Sequence, residues 1–430
     1  MGNLQRLHDY LESDDFSLVL PKLYGNQCDR ENQIVRFSHL IETHRELFGD
    51  GHAKSSALFS TAGRSELGGN HTDHNLGKVI AATINLDTIA VATAIEEPRA
   101  TLVSEGFPAV TVDLSDLSVH TEEEGTTDAL VRGIARGFVD RDLNIGGFVA
   151  NTSTRVLKGS GLSSSAAIEI LVATLFNNLY NRDALSPVEL AIIGKYAENT
   201  YFGKPSGLMD QIACGNGGVT GIDFAHPEKP QVSPIDCDFQ KLGYDLLVVD
   251  TGGNHADLTP DYAAIPKEMR SVAACFDCDV LRDVPFSLFV ESLPAIRKRV
   301  KNDRAILRAF HYLSENDRVD AMIGALKQEQ MEQYLALVRK SGESSFRFLQ
   351  NLYSTKAIEE QGLPLAIAMT EQFLEGNGAC RVHGGGFAGT IQVYVPLGRT
   401  ADYIDYIERV FGAGSATLLA VRSLPTTRLD

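Results

Sequence analysis

The chain has 430 residues, 43% of them hydrophobic, and a formal charge of −17 at pH 7. This length is sufficient for a large core and predicts two domains. The negative charge argues against nucleic acid or an anionic membrane as the main partner. A phosphate site in this chain would therefore have to be built locally, from backbone amides, a few cations and a metal ion.

Neither a targeting segment nor a disulfide framework is evident. The N-terminus lacks the apolar core of a signal peptide, no stretch approaches a membrane span, and Arg6 breaks the myristoylation pattern after Gly2. The six cysteines are scattered, and Cys275 and Cys278 form a CxxC pair without a second pair to complete a zinc site. We expect reduced cysteines in a cytoplasmic protein.

Apolar periodicity and turn residues predict the following order of elements. We expect a helical N-terminal extension over residues 1–50, a first domain over 51–235 and a second domain over 240–430, separated by a Pro- and charge-rich connection at 227–242. Within the first domain we predict strands at 57–61, 79–95 and 146–156 and a helix at 126–139. The second domain opens with an apolar strand at 244–250 and is largely helical over 285–350.

A polar stretch follows the first predicted strand. Gly63, Gly68 and Gly69 predict a tight loop, which carries the polar side chains of Arg64, Glu66, Asn70, His71, Asp73 and His74. It is either a solvated loop between strands or a site for a small polar ligand. Asp73 and His71 could hydrogen-bond sugar hydroxyls, and Arg64 could contact a phosphate through two parallel hydrogen bonds.

A second glycine-rich stretch leads into a predicted helix. Gly159 and Gly161 precede the serines at 163–165 and an apolar run with helical spacing. The free N–H groups and the positive dipole end of such a helix attract anions, and serine hydroxyls could hold phosphate oxygens or a metal ion. The alternative is a glycine turn with a serine N-cap.

Two carboxylates and a third glycine-rich loop complete the candidates. Ser186 opens a capping box, and the helix that it starts carries Glu198 in its last turns, either as part of a solvated face or as a functional group. Asp210 borders an apolar segment and is either a general base or an N-cap. Residues 384–389 form a glycine-rich loop before a strand at 390–395.

None of the glycine loops is a Walker A sequence or a complete GxGxxG, and the HRD and DFG motifs of protein kinases are missing. Four stretches nevertheless carry glycines and polar residues in a distinctive order along the chain: GRSELGGNHTDHNLG, KGSGLSSSA, AENTYFGKPSGLMDQ and VHGGGFAGT. Together they resemble the GHMP family of small-molecule kinases, and the first resembles the galactokinase signature that usually reads GRxNLIGEHTDYNxG.

The resemblance implies a fold, a reaction and a set of site residues. The fold is α+β, the two-domain GHMP kinase fold, with an N-terminal ribosomal-protein-S5-like domain and a C-terminal ferredoxin-like α/β sandwich. The reaction is ATP- and Mg²⁺-dependent phosphorylation of a sugar at its C1 hydroxyl. The phosphates of ATP would contact Gly159, Ser160, Gly161, Leu162, Ser163, Ser164 and Ser165, with Ser104 near the nucleotide.

Further roles follow from the same resemblance. Ser165 and Glu198 would hold Mg²⁺ through oxygen ligands. Asp210 would accept the proton of the C1 hydroxyl or orient that hydroxyl, while Arg64 would keep Asp210 ionised and stabilise the transition state. The sugar would contact Asn70, His71, Thr72, Asp73 and Tyr262, and residues 384–386 would close the site from the second domain.

The chain departs from the family pattern at several positions. The signature glutamate, which reaches the C6 end of the hexose in the family, is Asn70, and the signature asparagine is Glu66. His74 replaces the usual tyrosine, Asn254 an arginine and Leu157 a proline. Because asparagine is neutral and can donate as well as accept hydrogen bonds, Asn70 leaves the identity of the sugar open.

Three functions are therefore compatible with the sequence. The first is a galactose 1-kinase, and the second is a kinase for a related sugar such as galacturonate or N-acetylgalactosamine. The third is a sensor that binds galactose and ATP without catalysis. The joint presence of Arg64, Ser165, Glu198 and Asp210 speaks against the sensor.

Overall fold

Helices precede the first strand in the computed structural model, which describes residues 2–26, 28–50, 55–156, 161–204, 206–253 and 258–430. They are α1 (Asn3–Leu11), α2 (Asp14–Tyr24) and α3 (Arg30–Phe48). Ser13 and Asp29 cap α2 and α3 by accepting hydrogen bonds from backbone N–H groups of the first turn. Their apolar stripes are buried, as the periodicity predicts, so the helices cover part of the molecule.

The surface that they cover belongs to a large, mostly antiparallel sheet. Its strands are β1 (Ser56–Gly68), β2 (Lys78–Ala94), β3 (Arg99–Ser104), β4 (Val110–Asp113), β5 (Phe148–Thr154), β6 (Val219–Asp223) and β7 (Gln231–Ile235), together with the C-terminal β12 (Thr427–Arg428). The order is β12-β1-β2-β5-β3-β4, with β6 and β7 continuing from β2. The pairing of β3 with β5 is parallel.

Both faces of this sheet are buried. On one face Leu58 and Ile89 pack against α1, α2 and α3. On the other face Phe59 and Ala90 pack against helices inserted between the later strands. These helices are α4 (Thr127–Val139), α5 (Ser164–Asn181) and α6 (Pro187–Thr200). A further helix, α7 (Met209–Asn216), packs against Val79 and Ala81 of β2. Burial on both sides explains why the sequence of β2 is mostly apolar and does not alternate between apolar and polar residues.

The prediction of a tight loop beginning at Gly63 is wrong. Strand β1 continues to Gly68, and Arg64 and Glu66 lie opposite Thr83 and Ala81 of β2. The register shifts between Ala62 and Arg64 and again between Glu66 and Gly68. Such bulges bend a strand and redirect its side chains. Arg64 and Glu66 are therefore carried on a sheet, and the turn is confined to residues 69–77.

A smaller antiparallel sheet forms the second half of the molecule, in the order β11-β8-β10-β9. Its strands are β8 (Tyr244–Asp250), β9 (Ala379–Val382), β10 (Thr390–Pro396) and β11 (Ala416–Leu419). The helices of this half are α8 (Thr259–Ala273), α9 (Phe286–Glu291), α10 (Leu293–Val300), α11 (Asp303–Lys327), α12 (Met331–Ser344), α13 (Gly362–Leu374) and α14 (Thr400–Phe411). Helices α13 and α14 cover one face, and α11 and α12 separate the other face from the first sheet.

The two sheets share a core. Leu67 and Ile80 of the first sheet pack with Val248 of the second and with Met322 of α11. The chain also returns to the first sheet at its end, where β12 pairs with β1. Part of the predicted connection at 227–242 forms β7, so the division into domains at 51–235 and 240–430 stays a prediction.

The mixture of helices and largely antiparallel sheets confirms the predicted α+β class. Within the described ranges, no helix has the length and apolar character needed to cross a membrane. All six cysteines are free thiols.

Candidate active site

The start of α5 carries the central glycine-serine stretch. Helix α5 begins at Ser164, after Ser163 in the left-handed conformation with φ of 61°. The Ser163 hydroxyl does not cap the helix; it donates instead to Oδ2 of Asp210 at 2.5 Å. The alternative of a serine N-cap is therefore wrong. Ser165 is exposed in the first turn, whereas Gly159 and Ser160 lie outside the described residues.

Asp210 lies in the first turn of α7, two residues after the N-cap residue Leu208, so the N-cap interpretation of Asp210 is wrong as well. Its Oδ1 atom accepts a hydrogen bond from Nε of Arg64 at 2.8 Å. Of the Asp210 side chain 36% remains accessible, which leaves room for a ligand to approach the carboxylate.

Burial alone would raise the pKa of Asp210. The charge of Arg64 and the hydrogen bonds from Arg64 and Ser163 outweigh burial, so the pKa lies below its ordinary value. Asp210 is therefore an ionised carboxylate at neutral pH.

Arg64 connects this carboxylate with the glycine-serine stretch. Its side chain is only 7% exposed, and Nη1 donates to the carbonyl oxygen of Gly161. The backbone N–H of Arg64 donates to the carbonyl of Leu162 at 3.1 Å. Gly63 leaves the space for this approach, because a Cβ there would lie 2.9 Å from the same Leu162 oxygen. The guanidinium is thus held between the loop and Asp210.

Glu198 is 3% exposed, so its interpretation as part of a solvated helix face is wrong. Its carboxylate accepts hydrogen bonds from Nζ of Lys204 at 2.8 Å, from Nε2 of Gln211 at 2.9 Å and from the hydroxyl of Ser206. The same Gln211 nitrogen donates to Oε2 of Glu169 at 2.9 Å. Gln211 therefore joins two buried carboxylates next to Asp210.

This group of oxygens suits a hard cation. Burial, and then the charge of Glu198, raise the pKa of Glu169 to about 8. Oε1 of Glu169 and Oε1 of Gln211 are buried without a hydrogen-bond partner among the described residues. No three His, Cys, Asp or Glu side chains of the described residues form a closed metal site. Mg²⁺ typically takes one or two carboxylates together with substrate phosphates, so the donor set fits that ion.

Asn70 is fully buried, and its side chain is engaged by the protein. Nδ2 donates to Oε1 of Glu66 at 3.1 Å and to the carbonyl of Gly384 at 2.6 Å. Oδ1 accepts from Nδ2 of Asn351 at 2.9 Å and from the Ser345 hydroxyl at 3.3 Å. In this arrangement no group of the Asn70 amide is left over for a sugar, and its role in sugar binding stays a prediction.

Two other residues predicted to contact the sugar, His71 and Tyr262, also hydrogen-bond to the protein. His71 donates through Nε2 to the carbonyl of Gly385 at 2.8 Å, and the Tyr262 hydroxyl donates to the carbonyl of Gly386 at 2.9 Å. Burial lowers the pKa of His71 to about 4, so its ring is neutral at physiological pH. With Asn70 on Gly384, side chains hold three consecutive carbonyls of the triglycine loop, residues 384–386.

Thr72 and Asp73 have different surroundings. The Thr72 hydroxyl contacts the carbonyl oxygens of Gly69 and Lys78, at 2.9 and 2.6 Å, which closes the turn. Asp73 packs against Gly207, where a Cβ would overlap its carboxylate, and so lies near the Asp210 segment.

Ser104 lies at the end of β3, where its Oγ accepts from the Thr152 hydroxyl at 2.8 Å. Its predicted role at the nucleotide stays a prediction.

Several residues of the site were not anticipated. Lys204 and Gln211 lie inside the third quoted motif, so their position in the sequence could have indicated them. Arg381 is completely buried and forms an ion pair with Glu66 at 2.5 Å, but nothing in the local pattern distinguishes it from a surface arginine. Asn351 follows a stretch that was interpreted only as helical.

Comparison with known proteins is consistent with this geometry. A model of the GHMP kinases N terminal domain matches residues 129–218, and a model of the galactokinase galactose-binding signature matches residues 42–94. The chain is 30% identical over 359 residues to a galactokinase from Actinobacillus pleuropneumoniae, covering 80% of this chain and 86% of the relative. Galactokinase from Streptomyces coelicolor is 29% identical over 378 residues, covering 86% and 92%.

Solved structures agree on the fold. Lactococcus lactis galactokinase complexed with galactose superimposes with a TM-score of 0.78 at 23% identity, covering 91% of this chain and all of that one. Mevalonate kinase from Methanococcus jannaschii gives a TM-score of 0.59 at 16% identity, covering 85% and 98%.

The fold, together with a serine-rich loop at the start of α5, defines a kinase of the GHMP class. The relatives that match along most of the chain are galactokinases, and the chain belongs to the galactokinase family. The predicted resemblance, the GHMP fold and the expectation of a sugar kinase are thereby confirmed.

Proposed function

We propose that this protein transfers the γ-phosphoryl group of ATP to the C1 hydroxyl of galactose and forms galactose 1-phosphate. The observation that carries the proposal is the accessible Asp210 carboxylate, held by Arg64 and Ser163 beside the N-terminus of α5. A phosphate-binding helix end and an acceptor carboxylate thus lie next to each other, as phosphoryl transfer requires. The galactokinases that match most of the chain support galactose as the acceptor.

Asp210 acts on the acceptor hydroxyl. With its pKa lowered, the carboxylate is a weak base but a strong hydrogen-bond acceptor, so it orients the C1 hydroxyl first. It takes the proton as the new O–P bond forms and the hydroxyl becomes acidic. In a loose phosphoryl-transfer transition state, such positioning contributes more than basicity.

Arg64 acts on the transferred group. Its guanidinium is permanently charged, nearly buried and already oriented by Asp210 and Gly161. A buried cation that needs no reorganisation stabilises the negative charge on the equatorial oxygens of the transition state. Arg64 also keeps Asp210 ionised, so this one residue acts on the phosphoryl group and, through Asp210, on the acceptor hydroxyl.

ATP and Mg²⁺ would be held by the glycine-serine stretch 159–165 together with Glu198. The first-turn N–H groups of α5 and its dipole would attract the phosphates, and Ser165 and Glu198 would supply oxygen ligands to Mg²⁺. When bound, Mg²⁺ neutralises charge on the phosphate oxygens. Lys204, which is 2.8 Å from Glu198, adds a second cation at this side of the site. The free cysteines accord with a cytoplasmic location for this reaction.

One observation favours a second candidate. Because Asn70 stands where the family signature has glutamate, and Glu66 is occupied by Arg381, this loop offers no free carboxylate to a C6 hydroxyl. A kinase for a galactose derivative, such as N-acetylgalactosamine or galacturonate, is therefore the alternative.

An ADP-release assay over a panel of sugars tests both proposals. We expect the highest kcat/KM with galactose and lower values with N-acetylgalactosamine and galacturonate. Turnover restricted to one of the derivatives would replace galactose as the substrate. Tight galactose binding without ADP release from any sugar would show a sensor instead of an enzyme.

A further inference from the structure

A chain of hydrogen bonds links a buried ion pair with the triglycine loop. Arg381 donates to Glu66, Glu66 accepts from the Asn70 amide at 3.1 Å, and Asn70 Oδ1 accepts from the Asn351 amide at 2.9 Å. The Asn351 amide also donates to the carbonyl of Gly385 at 3.1 Å. The chain therefore runs from the second sheet through β1 and back to the triglycine loop.

The charges and carbonyls at its ends determine the orientation of both amides. Nδ2 of Asn70 faces two acceptors, the Glu66 carboxylate and the Gly384 carbonyl, so the NH₂ group has to be on that side. Asn70 Oδ1 consequently faces Asn351, so Asn351 has to donate from its own NH₂ group. The Gly385 carbonyl imposes the same orientation on Asn351.

The backbone places Asn351 at this junction. A π-helical turn, Ser345–Leu349, ends at Gln350, which has a left-handed φ of 57°. Such irregular turns occur often at functional sites. The carbonyl of Asn351 accepts from the N–H of Phe387, and a Cβ on Gly386 would overlap that carbonyl, so Asn351 supports the triglycine loop from its backbone as well.

One buried atom of Asn351 lacks a hydrogen-bond partner among the described residues. Asn351 is fully buried, and its Oδ1 accepts no hydrogen bond from the described residues. An unsatisfied buried acceptor is costly, and a hydroxyl donor would remove that cost. The Asn70 amide beside it has no capacity left, so Asn351 Oδ1 is the free acceptor of this amide pair.

We propose that Asn351 is a specificity-determining residue of the sugar site, an inference that rests on the proposed function. It orients Asn70 and supplies Oδ1 as the acceptor for the hydroxyl at the C6 end of galactose, the end that position 70 faces according to the family signature. The acceptor that the family takes from a carboxylate at position 70 would thus come from the amide of Asn351.

A comparison of galactose with 6-deoxygalactose, which lacks the C6 hydroxyl, tests this assignment. For the wild type, Asn351→Leu and the matched control Asn177→Leu, we would measure kcat, the KM of galactose and of ATP, and the inhibition constant of 6-deoxygalactose. Asn177 is also a buried asparagine whose amide bonds the backbone, at Leu185, but it lies in α5 away from the triglycine loop. Galactose-induced stabilisation against thermal unfolding, without ATP, provides a readout apart from activity.

We expect Asn351→Leu to raise the KM of galactose about tenfold, the usual effect of one lost buried hydrogen bond, while kcat and the KM of ATP change little. The inhibition constant of 6-deoxygalactose should hardly change, because that sugar lacks the hydroxyl. Galactose should also stabilise this variant less than it stabilises the wild type. Asn177→Leu should reduce stability only. If Asn351→Leu does not fold, Asn351→Ala makes the same comparison.

An unchanged KM of galactose, or equal losses for galactose and 6-deoxygalactose, would overturn the assignment while leaving the proposed function intact. A wild-type enzyme that fails to phosphorylate galactose would overturn the proposed function itself, and this assignment with it.

Discussion

Asp210, with its partners Arg64 and Ser163, and Asn70, in the turn at residues 69–77, differ in how accessible their polar atoms are to a ligand. Asp210 keeps 36% of its side chain accessible although Arg64 and Ser163 hold it. Asn70 is fully buried, and donors or acceptors of the protein engage its whole amide. The Asp210 carboxylate thus remains open to a ligand, whereas the Asn70 amide, which was expected to contact the sugar, contacts other groups of the protein.

This difference explains why the reaction is easier to assign than the substrate. A phosphoryl-transfer site needs an oriented carboxylate, a cation and a helix N-terminus, and these are defined by a few residues close together. Sugar selection depends on which polar atoms are left unpaired after folding, and that property belongs to the whole network around residues 384–386. Substitutions in the two regions should therefore differ in their effects on catalysis and on stability.

Asp210→Asn should produce the largest change. Loss of the negative acceptor should lower kcat by about 10²- to 10⁴-fold, the range for a positioned acid or base, while the dissociation constant of ATP stays nearly the same. Stopped assays and nucleotide titration would measure the two quantities. Asp223→Asn is the matched control, because Asp223 is also paired with an arginine, Arg282, at 2.8 Å but lies outside the site. Wild-type turnover in Asp210→Asn would remove this residue from the mechanism.

Asn70→Glu alone should be strongly destabilising. It would bury a second carboxylate about 3 Å from Glu66, which lowers the free energy of unfolding by about 3 kcal/mol, as for other uncompensated buried charges. Adding Glu66→Asn restores the charge balance and the order of the family signature, so the double variant should recover most of that loss. Urea unfolding of the single and double variants would measure this coupling.

If Asn70→Glu alone is as stable as the wild type, the pair is not coupled. A shift in preference toward plain galactose should therefore be sought in the double variant, where the new carboxylate is not opposed by Glu66.

The pH dependence of stability should reflect three buried histidines, His71, His311 and His383. Burial lowers the pKa of His71 from 6.5 to about 4, so the unfolded chain binds a proton that the folded protein does not. Stability should therefore fall as the pH drops from 6.5 toward 4, by about 1–3 kcal/mol for this residue. The pKa of His311 and of His383 is lowered by burial too, which adds to the same slope.

His71→Gln should make this slope shallower, whereas the same change at the exposed His226 should not. Denaturant unfolding between pH 4 and 7.5 would measure both. Identical slopes for His71→Gln and the wild type would mean that His71 titrates in the folded protein as it does in the unfolded chain.

Ser186→Ala should have the smallest effect and serves to separate stability from catalysis. The Ser186 hydroxyl accepts from the N–H of Glu189 at 3.4 Å, and the Glu189 carboxylate accepts from the N–H of Ser186 at 2.8 Å. Removing the hydroxyl should lower the free energy of unfolding by about 1 kcal/mol and leave kcat and both KM values unchanged. A kinetic change would indicate that α6 transmits strain to Glu198.

Strong local patterns were sufficient for much of the fold. The β-branched, apolar stretch at residues 79–95 corresponds to β2 at Lys78–Ala94, and the capping box at Ser186 is present as predicted. The apolar strand at 244–250 is β8. In each case the pattern stems from interactions between residues that are close in sequence, or from burial on a regular period.

Glycines gave a misleading signal where pairing overrode them. Gly63 and Gly68 predicted a loop, but hydrogen bonds to β2 extend β1 through both, and the glycines instead permit bulges and close approach of the Leu162 carbonyl. Likewise, solvated or capping roles for Glu198, Ser163 and Asp210 were compatible with their neighbours in sequence. The capping role of Ser163 is excluded by its contact with Asp210, 47 residues away. The solvated role of Glu198 is excluded by contacts with residues that follow α6, such as Gln211.

The order of four motifs already indicated the reaction class, through their resemblance to the GHMP family. Residue type and spacing by themselves left the anion site and the role of Asp210 open. The hydrogen-bond partners of the residues proposed to contact the sugar were decided by the tertiary structure alone. Arg381, Asn351 and the triglycine carbonyls are brought to Glu66 and Asn70 from the other half of the chain. The physical reason is that a hydrogen-bond donor or acceptor can serve a ligand only if folding leaves it unpaired.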